Sequence, residues 1–225
     1  MTPRTFLREI RDVTPADVAD AVATLDAQRD ALAARAETPA VSAALGHLAQ
    51  KRLVASNTLR NASTADRLAW DEANRWVNER LVREAGPWTT SELVALNRRL
   101  GGTEFRRGPM FTGNDEYLAP EEVGPELDAL CHWLATRGDV VASAVTYVAL
   151  VTIHPFDNAN GRTARLAADA MFLGEGYLPL CFLSSIASHV AQTLRGPERE
   201  PRHVIRRTLA AVAESYATVL RRINE

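Results

Sequence analysis

From Val140 to Ile153 the chain carries no charged residue, and the run stops abruptly at His154-Pro155. A stretch of that length is too short to cross a bilayer. It reads as an apolar helix buried among others, so the rest of the chain has to supply the elements that bury it. Proline at 155 disfavours helical geometry at His154 and forces a loop there.

Helical periodicity recurs on either side. Segment 15–36 has Thr14 as its cap, Pro15 at the first helical position, and Val18, Val22, Leu25 and Leu32 on one stripe. Segment 38–60 repeats the arrangement with Pro39, Val41, Leu45, Leu48 and Leu53, and the two segments are expected to pair as a hairpin. Segment 64–84 carries Leu68, Trp76 and Leu81 and stops before Gly86-Pro87, whereas Thr90-Ser91-Glu92 opens a helix that ends at Gly101-Gly102. Between 103 and 120 the period is lost. Gly108, Pro109, Gly113 and Asn114 separate short pieces holding Phe105, Phe111 and Tyr117, the pattern of a hairpin excursion. Helical spacing resumes over 121–136, 139–153, 161–173 and 202–223. The sequence predicts an all-α fold with one small hairpin, divided into an N-terminal helical arm (1–50), a core (51–195) and a C-terminal helix packed on it (196–225).

Twenty-six basic and 28 acidic residues leave a net charge of -2, so no global field recruits nucleic acid or an anionic membrane. Any anion site must be local. Lys51 is the only lysine, and the remaining cations are arginines, suited to planar, bidentate recognition of phosphate. Cys131 and Cys181 lack CxxC spacing and read as reduced packing residues. Residues 1–10 hold arginines and a glutamate where a signal core would need apolar residues, so a cytoplasmic protein is expected.

The segment carrying chemistry is His154-Pro155-Phe156-Asp157-Asn158-Ala159-Asn160-Gly161-Arg162-Thr163-Ala164-Arg165. After the loop a new helix begins, and the unbonded N–H groups of its first turn form an anion site. Arg162 and Arg165, three apart, share a face of that helix. His154 stands at the lip of the loop, and imidazole exchanges protons near neutrality. Each part alone has an ordinary explanation, since a histidine before proline is commonly a loop residue and an arginine pair commonly a solvated face. Base, turn and paired cations within twelve residues are a different matter.

This stretch resembles the signature of the Fic enzymes of the Fido superfamily, HPFx[D/E]GN[G/K]RxxR, with matches at His154, Pro155, Phe156, Asn160, Gly161, Arg162 and Arg165. Leu96-Asn97-Arg98-Arg99-Leu100 is similar to the helix before that family's flap, and 103–120 to the flap itself, including Phe111, Thr112 and Gly113. The resemblance implies a Fic-type helical fold and transfer of a nucleoside monophosphate, usually AMP from ATP, onto a hydroxyl, with Mg²⁺ as cofactor. By the same resemblance His154 takes the hydroxyl proton. Asn158, Ala159, Asn160 and Gly161 form the phosphate-binding turn, Arg162 and Arg165 hold the leaving phosphates, and Phe156 anchors the loop inward.

Two departures lie inside the motif. Asn158 replaces the acidic magnesium ligand, and a neutral amide oxygen binds a hard cation more weakly, with Asp157 one position earlier as the alternative carboxylate, although adjacent loop residues rarely point the same way. Ala159 replaces glycine, as in the Doc-type kinases and a phosphocholine-transferring branch, although Doc-type proteins carry lysine where this chain has Gly161. A third departure concerns regulation. Ser56-Asn57-Thr58-Leu59-Arg60-Asn61 resembles the family's inhibitory pattern [S/T]xxxE[G/N], but Arg60 stands in place of its glutamate. Packed as in those relatives, Arg60 would meet Arg165 and form an anion clamp instead of a block. The expected partners are a nucleotide donor and a hydroxyl-bearing protein or small-molecule acceptor, with no nucleic acid or membrane. A donor rerouted within the same fold, or a binding module without turnover, are the competing readings.

Overall fold

The computed structural model describes residues 1–36, 38–58, 63–83, 86–112, 115–181 and 200–225, with backbone alone for 53–58, 111–112 and 115–116. Its helices are α1 (Pro3–Asp12), α2 (Ala19–Ala33), which follows a 3-10 turn at Pro15–Val18, α3 (Pro39–Thr58), α4 (Thr64–Arg83), α5 (Thr90–Arg99), α6 (Pro120–Leu134), α7 (Val140–Ile153), α8 (Asn160–Gly174) and α9 (Pro201–Ile223). The one hairpin pairs β1 (Phe111–Thr112) with β2 (Asp115–Glu116), antiparallel, with Phe111 opposite Glu116. The all-helical expectation with a small hairpin holds. Among the described residues no helix is long and apolar enough to cross a membrane.

Local chemistry sets the helix starts. Thr2 accepts from the Thr5 N–H, and Asp139 from the Ala142 N–H at 2.8 Å. Thr89 and Glu92 exchange hydrogen bonds as a capping box, satisfying donors that the first turn leaves free.

The apolar run becomes the centre of the molecule. Every residue of α7 except Val151 is buried, and α1, α6, α8 and α9 pack around it. Burying each of its valines and leucines contributes about 1.5–3 kcal/mol relative to exposure. The hydroxyls of Thr146 and Thr152 donate back to the carbonyls of Ala142 and Val148, so neither is left unsatisfied inside the core.

One expectation needs correction. α2 and α3 do not pair along their length as a hairpin; each packs along α9, with Leu32 of α2 joining the small cluster that holds Ala44 and Leu48 of α3 and Val219 of α9. The N-terminal helices are joined to the core. Phe6, Leu7 and Ile10 of α1, a helix absent from the sequence reading, share one core with Val145 of α7 and Val212 of α9. The expected boundary near 195 lies outside the described residues.

Candidate active site

His154 ends α7. Its N–H donates to the Leu150 carbonyl at 3.1 Å, and its backbone is left-handed, at φ 49° and ψ 60°. A non-glycine residue in that region costs on the order of 1–2 kcal/mol, so the turn has to be held from outside. Phe156 is fully buried, bridges to Phe105 across the base of the flap, and stacks on it with ring centroids 5.8 Å apart. Its expected role as an inward anchor is what the structure displays. The Tyr117 ring lies against the imidazole, 4.4 Å between centroids.

The turn is braced by side chains whose own chemistry is committed. Asn160 is buried; its Oδ1 accepts from the Phe156 N–H at 2.9 Å and its Nδ2 donates to the Phe156 carbonyl at 2.6 Å. The Asn160 amide thus closes the turn on Phe156, beside the backbone N–H groups of the helix start. Ala159 is left-handed at φ 61°, so the methyl group that replaces the family's glycine hydrogen sits in a strained position. Asn158 Oδ1 accepts from the Ala159 N–H at 2.7 Å, which engages both the expected metal ligand and one amide of the cradle. At Gly161 an added Cβ would meet only Arg165 Nη2, at 4.0 Å, so packing does not demand glycine there.

Both arginines share a face of α8, as their spacing required, and that face meets α4. Arg162 Nη1 donates to Asp66 Oδ1 at 2.6 Å, and Arg165 lies over the Trp70 ring, 6.0 Å from its centroid. Asp66 also accepts from the N–H and hydroxyl of Ser63, and these bonds, then Arg162, hold its carboxyl below the usual carboxylate range. Half-buried Arg165 has its pKa pulled down by burial, opposed by Tyr147 and Asp169. One turn further along α8, Asp169 pairs with Arg52 of α3, whose Nε donates to the Leu180 carbonyl at 3.0 Å. Burial pushes Asp169 up and Arg52 opposes it.

Sequence reasoning missed three residues. Asn97 of α5 is fully buried and its Nδ2 donates to the Asn158 carbonyl at 2.9 Å and to Thr163 Oγ1 at 3.0 Å, tying turn and helix together. Gly102 makes room for it, since a Cβ there would fall 1.8 Å from Asn97 Oδ1. A polar residue within the Leu93, Leu96, Leu100 stripe was the available signal. Asp66 and Arg106 are the other two. Arg60 lies outside the described residues, as does Gly113; of Phe111 and Thr112 only the backbone strand is described.

Residues 87–172 match the model of the Fic/DOC family, a span that holds the turn, both arginines, α5 and the flap. Over that span the chain is similar to a Fic domain. Among relatives, a protein adenylyltransferase Fic of Nematostella vectensis is 29% identical over 125 residues, 50% of this chain and 29% of its own length. A uridine 5'-monophosphate transferase of Xanthomonas campestris is 29% identical over 206 residues, 78% of this chain and 37% of its own. This chain therefore spans less than two fifths of the length of either. The fold is that of solved Fic structures: IbpAFic2 tethered to Cdc42 superposes with a TM-score of 0.66 at 18% identity, over 88% of this chain and 69% of that one. Fic-1 of C. elegans gives 0.60 at 21%, over 98% and 71%.

Proposed function

We propose that this Fic domain is a nucleotidyltransferase that moves a nucleoside monophosphate, by default AMP from ATP, onto a hydroxyl, that of a protein side chain in the first instance. The observation carrying the proposal is the left-handed cap that puts His154 beside a helix N-terminus bearing Arg162 and Arg165. With a nucleoside triphosphate seated on the first-turn amides, an acceptor hydroxyl attacks the α-phosphorus while His154 accepts its proton. The new oxygen–phosphorus bond forms as the bond to the bridging oxygen of the β-phosphate breaks, and pyrophosphate departs with that electron pair beside the arginines. The adenylyltransferase and uridylyl-transferring relatives support nucleotidyl transfer while differing in the base, and the solved IbpAFic2 complex with adenylylated Cdc42 supports a protein acceptor.

Magnesium fits this chain's side chains poorly. Asn158 is neutral with its oxygen already on the Ala159 N–H, and the described residues hold no group of three acidic, histidine or cysteine side chains. A hard cation bound by one or two carboxylates plus phosphates finds no carboxylate at position 158. The same observation favours a second reading, a changed donor or a small-molecule acceptor.

The test is incubation of the protein in cell extract with α-labelled ATP and UTP, with and without Mg²⁺. Labelled protein supports the first reading and labelled soluble product the second. Nucleotide binding without any product would mean a binding module and overturn both.

A further inference from the structure

Three main-chain carbonyls from separate segments converge on one side chain, Arg106. Its Nε donates to the His154 carbonyl at 2.8 Å, its Nη1 to that of Gly108 at 3.0 Å and its Nη2 to that of Leu118. Its own N–H donates to the Pro155 carbonyl at 3.0 Å. The residue is 2% exposed, and among the described residues it pairs with no carboxylate. Burial pulls its pKa down, with Asp157 and Tyr117 opposing.

A cation buried chiefly against carbonyl dipoles is a poor source of stability, because desolvation offsets most of what the hydrogen bonds return. What the guanidinium supplies is geometry. Gly108 lies just before β1 and Leu118 just after β2, so one planar group closes the base of the flap. The same group fixes the carbonyl of the left-handed residue that carries the base. Tyr117, adjacent to Leu118, brings its ring to the imidazole from the flap side. A lysine ammonium is a point donor and cannot span three carbonyls set around a planar fork.

Resting on the transferase reading of His154, we propose that Arg106 is a positioning residue that locks the general base and the flap into one geometry. It touches neither the phosphate cradle nor the arginines of α8, so its effect falls on turnover and not on donor binding.

The experiment compares wild type with R106K and R106Q by far-UV circular dichroism, calorimetric affinity for a non-hydrolysable ATP analogue, kcat, and the imidazole NMR resonances of His154. Donor affinity is expected within about threefold of wild type while kcat falls about 100-fold, the scale of a misplaced catalytic group. The His154 resonances shift and those of the other histidines do not. Folded R106K with wild-type kcat and unchanged His154 resonances would overturn the proposal, as would equal displacement of every histidine signal. Should neither variant fold, the wild type decides: the Arg106 Nε–H must exchange with water about 100-fold more slowly than in free arginine. Exchange at the free rate would equally overturn it. Failure of wild type to transfer any nucleotide removes the transferase reading, but the imidazole and exchange measurements still judge the clamp.

Discussion

The ion pair between Arg162 and Asp66 places an anion of the protein's own where a donor phosphate is expected, and its removal should tighten donor binding. The pair is short, 2.6 Å, with Arg162 13% and Asp66 35% exposed. A hydrogen bond between charged partners contributes about 1.5–3 kcal/mol when sheltered and about 0–1 when both are in water. With one partner sheltered and the other a third exposed, about 1–2 kcal/mol is reasonable. A triphosphate that takes Arg162 must give that up, so Asp66→Asn should raise donor affinity by roughly 5- to 30-fold. The fold tolerates the change, because an amide oxygen at 66 still accepts from the Ser63 N–H and hydroxyl that open α4. The assay is calorimetry with a non-hydrolysable ATP analogue on wild type, D66N, R162A and the double variant at two salt concentrations. Arg162→Ala alone should weaken binding, and Asp66→Asn should have no effect in its background. Equal tightening in both backgrounds would refute the competition and leave only a general loss of negative charge.

Other consequences are as direct. Gly102→Ala must displace Asn97, with loss of both bonds that hold the Asn158 carbonyl and Thr163. A fall of about 1–3 kcal/mol in urea stability is expected, and Asn97→Ala should add little to it. Asn158→Asp should increase the dependence of turnover on Mg²⁺, read as the rate ratio with and without the ion, because a carboxylate restores a hard ligand; unchanged dependence would take this residue out of metal binding. The Tyr177 hydroxyl donates to Asp26 at 2.6 Å, and burial, then that bond, raises its pKa from 10 to about 12. The folded state holds that proton more tightly, so the stabilisation is complete below pH ~10 and disappears as pH rises towards ~12, about 2–3 kcal/mol in all. Urea midpoints should therefore drop across that window in wild type and drop less in Tyr177→Phe.

What the sequence disclosed and what it withheld divide along contact range. α7 was legible because a run apolar on every face has only one soluble solution, and the turn from His154 to Arg165 because its residues lie within twelve positions. α1 offers only a short stripe of Phe6, Leu7 and Ile10, too brief for its periodicity to stand out. The hairpin of α2 and α3 failed because periodicity gives the face of a helix and not its partner, and both faces meet α9. The residues that hold the site are the least legible. Asn97 reaches its carbonyl partner across 61 residues of sequence, Arg106 across 48, and Asp66 reaches Arg162 across 96. No local pattern records such pairings. Nor does the motif record that the Asn160 amide closes the turn on Phe156.

The central claim is that His154 is the base in a transfer that the rest of the turn merely binds and orients, and one variant tests it. In His154→Ala the affinity for a non-hydrolysable nucleoside triphosphate should stay within a few-fold of wild type, since the amides and arginines that seat the phosphates are untouched. Transfer of label from the α-phosphate should fall by about 100-fold or more, the share that a positioned base contributes. Undiminished transfer by the alanine variant would contradict the account.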